Sequence, residues 1–237
     1  MPTLTEIERF RRANLGILSL VERDLDSFWQ TLDLSRPDVA RDALLEFVPT
    51  LTTLYGEPAA LIAADWYDEL RAAEGVPGRF RATMAAPFPA EYVQQRVRYG
   101  AGHLFTDAPD RTLHFLRTAV SEYVLQPGRD TVQRSAVQDP RASGWHRETR
   151  PTASYPSGCG FCRLLAGRGG VYKWDIAPFA AHGGCMCVAV PSWDPNAEEV
   201  PAIAYSASVR KANMSDEQRA QNSAQLRAYI NAYFPDD

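Results

Sequence analysis

Behind a Thr5 and Glu8 pair with capping-box spacing, apolar residues recur at three- and four-residue intervals: Ile7, Phe10, Ile17, Leu18, Val21, Leu25, Phe28, Trp29 and Leu32. This pattern predicts one long amphipathic helix ending near Leu34. A second stripe of Val39, Ala43, Leu44, Phe47, Leu51 and Leu54 follows Ser35 and Pro37, which supply a cap and a preset first-turn dihedral. Pro49 is expected to bend this helix and Gly56 with Pro58 to break it. Leu61, Ile62, Trp66, Tyr67 and Leu70 would then form a third helix that stops at Gly75. Short connections between the three imply antiparallel packing.

From 76 to 88 the chain reads VPGRFRATMAAPF, with no sustained period, and is expected to be an exposed or linking segment. Helical spacing returns in PAEYVQQRVRYGAGHLFT and in DRTLHFLRTAVSEYVLQ, with a shorter helix expected after Pro127-Gly128 and ended by Asp139-Pro140. Beyond it, GWHRETRPTASYPSG reads as loop, while GGVYKW and CVAVPSW read as short strands. After Pro191 a polar connector leads to a last helix from Ser215, where SDEQ has capping-box spacing and Leu226, Tyr229, Ile230, Tyr233 and Phe234 share a stripe. The fold class is therefore α+β and predominantly α-helical. A helical bundle over 1–75 precedes a small strand-and-loop unit within 76–191, and a connector with a C-terminal helix occupies 192–237.

At 237 residues and 45% hydrophobic content, the chain can bury one sizeable core or two smaller ones. A formal net charge of -4 argues against a general nucleic-acid binder, which needs a basic surface. No run of about 18 apolar residues occurs, so no membrane span is expected. The N-terminal segment reads as a helix rather than a secretory signal, which points to a reducing cytosol, at least at first. Only Lys173 and Lys211 are lysines, an Arg bias typical of a GC-rich coding sequence.

The reducing compartment gives weight to one observation: all four cysteines lie between 159 and 187. Cys159 and Cys162 form C-x2-C, and His182, Cys185 and Cys187 form H-x2-C-x-C, so five soft or borderline donors surround a longer loop. Zinc takes four N or S ligands in a tetrahedron, commonly as two short chelating pairs. The segment is short, glycine-dense and poor in apolar residues, so it lacks a core of its own and would gain most from a structural metal. Two other readings stand beside zinc: thiol redox chemistry of Cys159 and Cys162, and reduced thiols or a disulfide without metal. Four of the five donors are expected to bind. An H-x2-C turn around two glycines chelates more easily than C-x-C entering a strand, which favours His182 over Cys187.

A closed, Cys-rich sphere is structural rather than catalytic, and no nucleophile elbow, phosphate loop or nucleophile-base pair is present. The chain is therefore not expected to be an enzyme. A zinc-knuckle nucleic-acid module is the remaining rival, with Arg163, Arg168, Lys173 and Trp174 near the ligands.

CGFCRLLAGRGGVY followed by FAAHGGCMCVAVP resembles the C-terminal domain of the MuF-like minor head proteins of tailed bacteriophages, particularly those of actinobacteria. Cys159, Cys162, Gly169, Val171, Tyr172, His182, Cys185, Cys187 and Pro191 occupy the places of that family's signature. AADWYDELRA and GRDTVQRSAVQDPRASGWHRETR are also similar, so the resemblance covers most of 55–191 and marks 76–191 as the MuF-like domain. Many relatives have Pro-Asn and Arg where this chain has Gly183-Gly184 and Met186. The resemblance implies a virion protein present in several copies at the portal vertex inside the head, assembled in the host cytoplasm and acting in head morphogenesis or genome delivery. Its implied partners are the portal protein and the major capsid or scaffold protein, with packaged DNA as a further contact.

Overall fold

The computed structural model describes residues 2–150, 159–168, 170–173, 179, 181–200, 215–218, 220, 221, 224, 225 and 228. Helix α1 runs over Leu4–Trp29. Its capping box uses Thr3 and Glu6, two residues before the expected pair: Thr3 Oγ1 accepts from the Glu6 N–H at 3.3 Å and Glu6 Oε2 accepts from the Thr3 N–H at 2.7 Å. Glu8 instead pairs with Arg11 at 2.6 Å.

Two of the expected helix breaks do not occur. Helix α2 is continuous over Pro37–Ala73, through Pro49 and Pro58. A proline inside a helix orphans the carbonyl four residues earlier. For Pro49 that carbonyl is Leu45, which accepts from Gln94 Nε2 of α3 (Ala90–Gly100) at 3.3 Å. Pro58 lies on the exposed face, where water can serve the carbonyl of Leu54. The helix ends where expected, in a Schellman motif: Gly75 has φ 64°, Val76 N donates to Arg71 O and Gly75 N to Ala72 O.

Helix α4 likewise runs unbroken over Asp110–Gln138 through Pro127-Gly128, where two helices were expected. Here α2 and α4 cross closely. A Cβ on Gly56 would touch the Pro127 ring at 3.4 Å, and one on Gly128 would meet the Ala59 carbonyl oxygen at 2.9 Å. Packing of small residues at the crossing outweighs the local preference to break. The 3₁₀ turn Ala101–Phe105 joins α3 to α4.

Residues 76–89 carry no regular element and are mostly exposed, as expected, but they are anchored to the helices. Ala82 N donates to Asp68 Oδ1 at 3.0 Å and Ala85 N to Thr131 Oγ1 at 2.9 Å. Arg71 gathers this strap from below, donating to the carbonyls of Val76, Pro77 and Gly78 while its Nε binds Asp139 Oδ2 at 2.8 Å. Asp139 also accepts from Tyr67 Oη, Trp193 Nε1 and Arg141 N, so one buried carboxylate joins α2, α4 and the exit of the last strand.

The first part of the expected loop is a strand. Residues Gly144–Glu148 form β1, antiparallel to β2 (Val188–Ser192), with Trp145 opposite Pro191 and Arg147 opposite Ala189. Tyr172 adds a bridge, exchanging backbone hydrogen bonds with Trp145 at 2.7 and 3.0 Å. Trp145 and Arg147 face inward, an alternation that the charged Arg147 disguises in the sequence. A short helix α5 covers Gly160–Ala166. At the C-terminal end, the Ser215 and Gln218 capping box forms, with Ser215 N donating to Gln218 Oε1 at 3.0 Å and Gln218 N to Ser215 Oγ at 3.3 Å. The stripe from Leu226 to Phe234 lies outside the described residues.

Two apolar clusters form the interior. One joins Leu25, Leu44, Val48, Val97, Leu116 and Val124 of the helices. The other joins Ile7, Phe10, Trp66 and Tyr67 of α1 and α2 to Trp145, Cys162, Phe179 and Val190. The expectation of a coreless Cys/His unit is corrected here: it shares a core with the helices on which it sits. Among the described residues no helix is long and apolar enough to cross a membrane.

Candidate metal centre

Cys159 is the N-cap residue of α5 and Cys162 sits in its first turn, so the C-x2-C spacing becomes one helical turn with both sulfurs on the same side. The second half is the turn His182–Cys185, closed by Cys185 N donating to His182 O at 3.0 Å. Both glycines inside it have steric reasons. Gly184 has φ 74°, and a Cβ on Gly183 would fall 2.2 Å from Thr118 Cγ2 of α4. Cys187 follows directly and leads into β2.

These elements bring all five predicted donors together. Cys159, Cys162 and His182 form one group with donor atoms within 4.8 Å of one another; Cys162, Cys185 and Cys187 form a second. Cys162 belongs to both and is fully buried. Its Sγ lies 3.7 Å from Cys185 Sγ and 3.3 Å from His182 Nε2. A tetrahedral zinc with its usual bond lengths has S···S edges of about 3.8 Å and N···S edges of about 3.6 Å. The sulfur spacing is that of ligands, well beyond the ~2.05 Å of a disulfide. All four cysteines are free thiols. Donor type and spacing thus fit a metal ion held either by three cysteines and the histidine or by all four cysteines. A small cavity beside the cluster is lined by Arg150, Cys159, His182, Cys185 and Cys187.

The imidazole is oriented for ligation. His182 Nδ1 lies 2.9 Å from the Gly183 carbonyl, which fixes the proton there and leaves Nε2 facing Cys162. Without metal, hydrogen bonds from Cys162 and Cys187 hold Cys185 well below the ordinary thiol range against burial, with His182 and Arg129 adding to the effect. Hydrogen bonding to Cys185 and Cys187 pushes Cys162 up, and burial acts in the same direction. Hydrogen bonding to Cys185 raises His182 to about 9, against the opposing effect of burial.

Sequence reasoning missed what lies beneath the donors. Thr118, Glu122, Gln126, Arg129 and Gln133 share one face of α4, and this face receives the Cys/His unit. Gln126 Nε2 donates to Phe179 O at 3.2 Å and Gln133 Oε1 accepts from Phe179 N at 2.9 Å. Arg129 donates from Nε to Cys187 O at 3.2 Å and from Nη2 to Cys185 O. From β1, Arg147 donates to Cys162 Sγ at 3.6 Å and lies over the Phe179 ring. Burial raises the Glu122 carboxyl, while Arg96, Arg129 and His182 oppose it. The one available signal was a polar stripe at helical spacing running on through Pro127, hidden by the expected helix break. His103, His114 and His146 join neither donor group, and Trp174 and Gly169 lie outside the described residues.

No curated protein and no solved structure matches the chain. The family model described as VG15 protein matches residues 1–229. That match takes in the helices, the strap and the whole Cys/His cluster, and the chain belongs to the VG15 protein family.

Proposed function

We propose that this protein is a minor head protein of a tailed phage, associated with the portal vertex, and that its Cys/His cluster is a structural zinc centre of no catalytic role. The observation that carries the reading is the gathering of Cys159, Cys162, His182, Cys185 and Cys187, five residues of the MuF-like signature, into two donor groups that share Cys162, with the Cys162–Cys185 sulfur pair at the edge length of a metal tetrahedron. Tyr172, another signature position, bridges the adjacent strand and stacks on Trp145. Zinc here locks α5 to the turn that precedes β2, and so fixes the face presented by the Cys/His unit.

The contact surface for the portal is the helical part. Leu15, Leu20, Leu54, Leu61 and Tyr99 expose apolar area on α1, α2 and α3. Co-expression with the portal protein of the same phage provides the test. Wild type co-purifies with portal and carries about one zinc per chain, whereas a Leu54→Glu, Leu61→Glu variant keeps its zinc and loses portal. Co-purification with DNA in place of portal would support the zinc-knuckle alternative and overturn the head-protein assignment.

A further inference from the structure

Arg129 is a buried cation, 5% exposed, in the middle of α4. Among the described residues no carboxylate pairs with it, and the nearby Asp130 carboxylate takes a hydrogen bond from Gln126 at 2.8 Å. Burying an unpaired guanidinium is costly, so something must offset it. Its fork binds the backbone carbonyls of Cys185 and Cys187, two residues apart, while Met186 between them packs against the helical core. Residues i and i+2 of an extended segment point to one side. Gripping both carbonyls therefore holds both sulfurs toward Cys162. One further group, Nη1, is buried with no hydrogen-bond partner.

We propose that Arg129 is a positioning residue of the metal centre: it fixes the Cys185–Cys187 segment through its carbonyls and supplies the positive charge that a thiolate-rich metal sphere requires. A divalent ion with three or four thiolates carries a net charge of about -1 or -2. Buried beside Arg129, that charge is compensated, and the guanidinium in turn gains the anion it lacks. Lysine cannot replace it, because an ammonium is a point donor and cannot span two carbonyls with a planar fork.

This inference rests on the metal reading above, and the test separates the two. Full-length wild type, Arg129→Met and Arg129→Lys are compared by zinc competition against a chromophoric chelator and by the sulfur-to-metal charge-transfer band of the cobalt(II) forms. Arg129→Met should weaken zinc binding about 10- to 100-fold and shift the cobalt band; Arg129→Lys should lose less, yet remain measurably weaker than wild type. Wild-type affinity and an unshifted band in Arg129→Met, with equal loss of melting temperature in metal-free and zinc-loaded forms, would reduce Arg129 to a packing residue and overturn the proposal. Should Arg129→Met fail to fold, wild-type affinity in Arg129→Lys overturns it equally. If wild type itself binds neither metal, both the metal reading and this inference fall.

Discussion

Cys162 shares donor distances with all four of the other candidate ligands, so no four-ligand sphere can be built without it. Cys162→Ser is expected to abolish stoichiometric zinc, measured by elemental analysis after gel filtration. The remaining choice is between His182 and Cys187. Because Nδ1 of His182 is engaged by the Gly183 carbonyl and Nε2 faces the cluster, His182→Ala should cost at least about tenfold more zinc affinity than Cys187→Ser. These donors were legible in the sequence because ligand chemistry resides in residue type and short spacing. Arg129 was not, because its partners Cys185 and Cys187 lie 56 and 58 positions away. Asp139 was equally hidden: its neighbour Pro140 marked a helix end, while its actual role joins residues from Tyr67 to Trp193. Burial pushes its carboxyl up, but hydrogen bonds from Arg71, Arg141 and Trp193 more than offset this and leave it below the ordinary range. A depressed carboxylate stabilises the fold above its unfolded value and loses that contribution as pH falls through the folded one. Asp139→Asn should therefore cost about 3 kcal/mol near neutrality, read from urea denaturation, and the gap to wild type should shrink below about pH 4.

At the scale of elements, periodicity located the helices, but the prolines misplaced their ends. Pro49 looks like a bend and Pro58 and Pro127 like breaks because local rules price a missing N–H and a ring clash. What those rules omit is the side chain of Gln94 reaching the orphaned carbonyl, and the α2 and α4 crossing at Gly56 and Gly128. Two glycines test this account in opposite directions. Gly128→Ala should destabilise by about 1–3 kcal/mol, since the added methyl meets backbone rather than a mobile side chain. Gly16→Ala, in the exposed middle of α1 with nothing within 4 Å, should stabilise by up to about 1 kcal/mol. Equal effects in thermal denaturation would mean that helix propensity alone governs both sites. The strand β1 escaped notice for a related reason, since one of its two inward positions carries a buried Arg147 where the pattern needs a second apolar residue beside Trp145.

For the whole molecule, the division of the core into two clusters sets what metal removal does. The cluster around Leu44 and Val124 contains no cysteine, whereas the other includes Cys162, Cys185 and Cys187. Chelation should lower the melting temperature while leaving most of the helical circular dichroism intact below the new transition. Complete loss of helix on chelation would show that the metal organises the entire fold, as it does in small zinc fingers.

Helix α2 extends over about 55 Å at 1.5 Å per residue, and it supplies Leu44 and Val48 to one cluster and Trp66 and Tyr67 to the other. A rod that threads both interiors cannot fray in one without loosening the other. Deuterium uptake should then find the most protected amides of its two halves opening with the same free energy, as a single foldon. A pull applied to the exposed residues near Leu54 would be passed along that rod to the Cys/His unit, so the molecule would answer mechanical load as one piece.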